Sequence, residues 1–192
     1  MDMAKPYILG VTKYFPGSEI VFDHFHVIKG MNEVIDKVRR KEQKENPLLK
    51  NTRFLWLKNS SSMTQREKKR FKTIRKLDLK TSKAYHLRMA LQRLWTIPKY
   101  MAEEYLKRWI SWAIKTGIPD IVKYGMTLKR HFKGIISAIM LNLNNAVAEG
   151  INNKIKTAFK RSYGFKSDEY RDTIIFLVAG KLTLPTLLRG ST

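Results

Sequence analysis

Cysteine is absent from all 192 residues, so the chain carries no disulfide framework, no thiolate-bound zinc and no thiol nucleophile. Histidine is scarce, with 4 residues, which argues against a His-rich metal site. Acid is scarce as well: 16 Asp and Glu stand against 38 Lys and Arg, a formal net charge of +22. That excess is far beyond what solubility needs and points to a polyanionic partner. Long apolar runs are missing too. Gly134 to Leu141 and Thr173 to Gly180 are much shorter than the roughly 20 residues of a membrane span. The opening residues lack the basic and apolar stretches of a secretory signal, so a cytoplasmic protein is expected, with no membrane partner.

What is present is an ordinary globular share of hydrophobic (43%) and aromatic (11%) residues, enough for one folded domain rather than a disordered basic tail. Residues 5–15 predict a short helix with Tyr7, Ile8, Val11 and Phe15 inward, closed by Pro16-Gly17. Glu19 to Phe22 reads as a buried strand ending at Asp23, the one strand signal in the chain. From Asn32 onward the periodicity is helical, with Met31, Val34, Ile35 and Val38 on one face.

Charge concentrates between Lys37 and Lys76, where 15 basic residues and 3 acidic ones leave a net +12. Asn59 to Ser62 punctuates this block as a loop, and Thr64 with Glu67 matches a capping box opening a helix from Gln65 to Leu77. Lys68, Lys69, Arg70, Lys72, Arg75 and Lys76 wrap that helix, either as a solvated face or as contacts to phosphate. Further helices are predicted at Ser82–Thr96, Pro98–Lys115 and Pro119–Met140. Within them Trp95, Tyr100, Tyr105, Trp109 and Trp112 alternate with cations. Such a mixture either stacks on unpaired bases or forms the core of a helical bundle.

The segment Glu149-Gly150-Ile151-Asn152-Asn153-Lys154-Ile155-Lys156 displays one carboxylate on a basic helix face. At helical spacing Glu149, Asn153, Lys156 and Lys160 share a side, opposite Val147, Ile151, Ile155 and Ala158. Such a carboxylate either serves an intrahelical partner or acts as a metal ligand in phosphoryl chemistry, where acids from separate elements hold ions about 4 Å apart.

Three segments in this order resemble the catalytic domain of bacterial insertion-sequence DDE transposases of the ISL-three group. They are Asp2-Met3; Phe15-Pro16 through Ile20-Val21-Phe22-Asp23-His24-Phe25-His26-Val27-Ile28 running into Val38-Arg39-Arg40; and Glu149 to Lys156 followed by Ser162-Tyr163-Gly164-Phe165. The resemblance implies a mostly α chain with a small α/β part, the remnant of a ribonuclease H-like domain carrying a large helical insertion. It divides residues 1–192 into an α/β part (1–44, with Asp2 and Asp23), a basic helical insertion (45–130) and C-terminal helices (131–192, with Glu149). It also implies metal-dependent DNA strand cleavage and transfer, with Mg²⁺ held by the catalytic acids Asp2 and Glu149 and with Asp23 as the alternative second acid. Lys68, Lys69, Arg70, Lys72, Asn153, Lys154, Lys156 and Lys160 would contact DNA, and no small-molecule substrate is expected.

In that family a first aspartate, a zinc-binding region and a helix-turn-helix precede the Asp-Met segment. The resemblance therefore implies a truncated transposase, inactive alone, that works beside full-length transposase or an upstream chain at the bacterial nucleoid. The rival expectation is a stand-alone helical nucleic-acid-binding protein or transposition repressor.

Overall fold

The computed structural model describes residues 3–58, 62–77, 79–142 and 146–180, with backbone alone for 146–149. It separates into two compact units, residues 1–143 and 144–192, and each is taken by itself.

The first unit is built around α2 (His24–Glu42), whose Val27, Met31, Val34, Ile35 and Val38 are buried. The i, i+4, i+7 recurrence of these apolar positions makes a continuous stripe, and α5 (Lys80–Arg93) and α7 (Pro119–Arg130) pack on it. Leu87 and Leu91 of α5 and Ile121 and Leu128 of α7 are fully buried. Close approach is needed where α7 crosses α2. A Cβ on Gly30 would come within 2.7 Å of the Tyr124 hydroxyl, which donates to the Val27 carbonyl. Helix α6 (Lys99–Lys115) lies against α5, α7 and α8 (Phe132–Met140). Two short helices complete the unit's basic end, α3 (Arg53–Leu57) and α4 (Gln65–Arg75). The peripheral α1 (Lys5–Tyr14) buries no residue fully.

Capping explains several boundaries. Asp23 caps α2, its carboxylate accepting from the Phe25 amide at 3.3 Å, so the helix starts eight residues before the expected Asn32. Thr64 and Glu67 form both halves of the capping box on α4. The start of α5 is capped from another helix: Glu42, at the end of α2, accepts from the amides of Lys80 and Thr81 at 2.7 and 2.8 Å. That carboxylate sits at the positive end of the helix dipole, which is why α5 begins at Lys80 rather than at Ser82.

Three expectations are corrected. Residues 19–22 lie outside any helix, but the described residues contain no strand; the Phe22 amide donates to the Gly134 carbonyl of α8 at 3.1 Å, so the segment is pinned to a helix. Phe22 is buried there, which accounts for its strand-like apolar pattern. A Cβ on Gly134 would meet the Ile20 carbonyl at 2.6 Å, so this glycine admits the strap. Next, Tyr7 and Phe15 of the first helix face solvent, at 61% and 66% exposure. Last, the helix expected over 119–140 breaks at His131, where φ is −99° and ψ is 13°.

The second unit contains α9 (Ala146–Arg161) and α10 (Asp168–Ala179), which pack on each other. Gly164, at φ +117°, serves the turn between them, and Phe159 meets Phe165 edge-on at 4.8 Å. Ser167 caps α10 by accepting from the Tyr170 amide. Ile155, Ala158, Ile174 and Val178 are half-buried, and none of the described side chains is fully buried.

Candidate nucleic-acid interface

Helix α4 inserts Phe71 and Ile74 into the core, where Phe71 meets Trp56 and Tyr85 edge-on at 5.2 and 5.1 Å. With that stripe committed, its other positions point outward: Lys68, Lys69, Lys72, Arg75 and Lys76 are exposed. Lys68, Lys69 and Lys72 form no ion pair among the described residues. Arg70 is tied more closely, donating to the Lys50 carbonyl at 3.1 Å. The helix's one acid, Glu67, is spent on structure. A hydrogen bond from Lys58 at 2.7 Å and that from the Thr64 amide hold its carboxyl below the usual range.

A different arrangement occupies α2 and α3. Asp36 is buried, and its Oδ1 accepts from Arg39 Nε at 3.0 Å and Nη2 at 2.8 Å. Its Oδ2 faces Arg40 Nη2 at 2.7 Å and Arg53 Nε at 3.6 Å. Burial pushes this carboxyl up, but the hydrogen bonds from Arg39 and Arg40 outweigh it and leave the pKa below its ordinary value. Arg39 is also buried, and its Nη1 donates to Gln43 and to the Leu49 carbonyl. The i, i+3, i+4 spacing of Asp36, Arg39 and Arg40 is readable in sequence, but the joining of Arg53 from another helix is not.

A third cationic surface went unread in the sequence. Helices α6, α7 and α8 enclose a groove of about 730 Å³ floored by Ile110, Ile114 and Phe132 and flanked by Lys115, Lys129 and Lys133. The aromatic set divides. Trp109 is core, its indole donating to the Leu87 carbonyl at 2.8 Å, and Tyr105 donates to the Ala90 carbonyl at 2.8 Å. Trp95 stacks on His24 at 4.2 Å, whereas Tyr100 and Trp112 are exposed at 82% and 45%.

Asp2 lies outside the described residues, and Glu149 lies on α9 with its side chain outside them. Asn153, Lys154, Lys156 and Lys160 are exposed on α9. Asp23, besides capping α2, faces His26 Nδ1 at 3.1 Å. Burial lowers the pKa of the adjacent His24, opposed by the Asp23 charge. Among the described residues no three His, Asp or Glu side chains converge to hold a metal ion, so Asp23 and His26 alone do not fit one. Also among them, no helix is long and apolar enough to cross a membrane.

A family model described as Transposase, that of the ISL-three DDE group, matches residues 1–175. The chain belongs to the ISL-three transposases. It is 31% identical over 179 residues to the transposase for insertion sequence element IS1001 of Bordetella parapertussis, covering 88% of this chain and 44% of that protein. It is 26% identical over 187 residues to the transposase for insertion sequence element IS1557 of Mycobacterium tuberculosis, in two strains, covering 83% of this chain and 42% of those proteins. This ISL-three chain thus spans less than half the length of these relatives. No solved structure matches it.

Proposed function

We propose that this chain is the C-terminal share of a DDE catalytic domain that cuts and joins DNA during transposition of an insertion sequence. The observation that carries the reading is the family match over residues 1–175, which includes both the Asp23 box and the Glu149 box. In this reading Asp2 and Glu149 are the second and third acids, with Asp23 as the alternative to Asp2. The ribonuclease H-like ancestry and the division at 1–44, 45–130 and 131–192 belong to the same proposal, as does a cytoplasmic, nucleoid-associated location.

DNA is the partner. Lys68, Lys69, Arg70 and Lys72 meet its backbone from α4, and Asn153, Lys154, Lys156 and Lys160 do so from α9. Exposed lysines suit this role because each phosphate they neutralise releases condensed counterions. Divalent ions, Mg²⁺ in the first instance, supply activation of the attacking oxygen and stabilisation of the leaving one in such chemistry. A DDE centre takes three carboxylates, and the likeness assigns two of them within these 192 residues. In this proposal the chain contributes DNA binding and two acids, and full-length transposase or another chain contributes the third. The alternative is a stand-alone DNA-binding protein that represses transposition, which the exposed cations of α4 and α9 would equally suit.

The test is a cleavage and strand-transfer assay of the purified chain with Mg²⁺ or Mn²⁺, alongside a Glu149→Gln control. The expected result is DNA retention without cleavage. Metal-dependent cleavage that disappears in the control would show a self-sufficient site and overturn the reading of an incomplete one.

A further inference from the structure

We propose that the groove between α2 and α3 is a built phosphate-recognition site, in which the buried Asp36 aligns Arg40 and Arg53 on the DNA backbone. The proposal rests on DNA being the partner and adds where and how the backbone is gripped.

Arg39 balances the single charge of this carboxylate from within the fold, through Oδ1. Arg40 and Arg53 are surplus to it. Their side chains are 66% and 53% exposed, yet Arg40 meets Asp36 Oδ2 at 2.7 Å and Arg53 forms a looser ion pair with the same oxygen, its Nε at 3.6 Å. A planar guanidinium held at one edge keeps N–H donors on its remaining edges, in the fork that matches two phosphate oxygens. Holding it in place also reduces the rotamer entropy lost when a ligand arrives. Both arginines line a groove of about 420 Å³, with Lys29, Lys37 and the single further acid Glu33 among its other walls, so cations outnumber carboxylates there. The volume is of the size that takes a small ligand or a nucleotide. Asn32 lines it as well, and its Oδ1 is buried with no donor among the described residues.

The neighbouring α4 surface offers a contrast that makes the proposal testable. If charge alone mattered, Lys in place of Arg would serve equally well. If the aligned fork matters, Lys fails while the charge count is unchanged. The experiment is fluorescence anisotropy of a labelled duplex titrated with wild-type chain, Arg40→Lys/Arg53→Lys and Arg40→Gln/Arg53→Gln over a series of salt concentrations, with thermal melts as the check of folding. The lysine variant is expected to bind about 10-fold more weakly at fixed salt, with the log–log salt slope unchanged. The glutamine variant is expected to bind more weakly still and to lose about 2 units of that slope, close to 0.9 for each phosphate released. Wild-type affinity in the lysine variant would overturn the aligned-fork site while leaving DNA binding intact. No duplex binding by the wild type at any salt would instead overturn the functional reading beneath it. Polyglutamate displacing duplex from wild type as effectively as unlabelled DNA, but not from the lysine variant, would assign the groove to a carboxylate partner and likewise overturn the proposal.

Discussion

On α4 the lysines at 68, 69 and 72 stand in solvent with no ion pair among the described residues, whereas on α2 one buried carboxylate gathers Arg39, Arg40 and Arg53. Both regions are basic, and a count of charges does not separate them. The α4 lysines are flexible point charges that can follow any polyanion, while the arginines around Asp36 are drawn to one shared carboxylate. Net charge therefore identifies the kind of partner, and pairing determines where geometry can be demanded of it.

Removing the carboxylate is the strongest way to break the contrast. Asp36→Ala leaves the buried Arg39 guanidinium without its counter-charge and is expected to cost about 3 kcal/mol. For a chain of this size that loss corresponds to a melting temperature lower by about 10 °C, measurable by circular dichroism. Next in size, replacing Lys68, Lys69, Arg70 and Lys72 together by Glu is expected to weaken duplex binding about 100-fold at moderate salt. The thermal melt should move much less than for Asp36→Ala, because three of the four side chains hold nothing inside the fold. An equal drop in melting temperature for both variants would erase the distinction between the two regions.

The smallest expected effect sharpens the comparison through pH. His24, packed against Trp95, and His131, which meets Phe22 at 4.8 Å, both have pKa values lowered by the desolvation of their rings. The unfolded chain then takes up protons first as pH falls below about 6.5. Stability is full above that value and declines as pH falls from there towards the lower folded-state values. A His24→Gln/His131→Gln variant should flatten this limb. Asp36 works in a lower window: its pKa is depressed, so its contribution is present above about 4 and is lost as pH falls through the folded-state value. A melting temperature unchanged between pH 7 and pH 5 would contradict the histidine assignment.

Much of the fold was legible because its signals are local. The Thr64 and Glu67 box, Pro98 before α6 and Pro119 at the start of α7 each act within one helical turn of the boundary they mark. The errors came where a distant group decided the outcome. Phe22 looks like a strand residue because it is buried, but its amide partner is 112 residues away on α8. The start of α5 depends on Glu42, 38 residues earlier. The break at His131 has no proline or glycine at the position itself, so periodicity runs through it unmarked. At the candidate interface the α4 lysines were readable from composition and helical phase. The Asp36 hub was not, because it needs Arg53 to be brought up from α3 and because a buried acid among cations looks, in sequence, like one more surface pair.

The central claim is that this chain's excess of positive charge is a DNA-binding surface, and the salt dependence of duplex affinity tests it most directly. A protein neutralising six or more phosphates should show a log–log slope of about −5 or steeper, losing roughly 1,000-fold in affinity between 50 and 200 mM salt. That slope, little affected by duplex sequence, is the predicted result. An affinity that stays flat across the same salt range, or duplex binding too weak to measure even at low salt, would contradict the account.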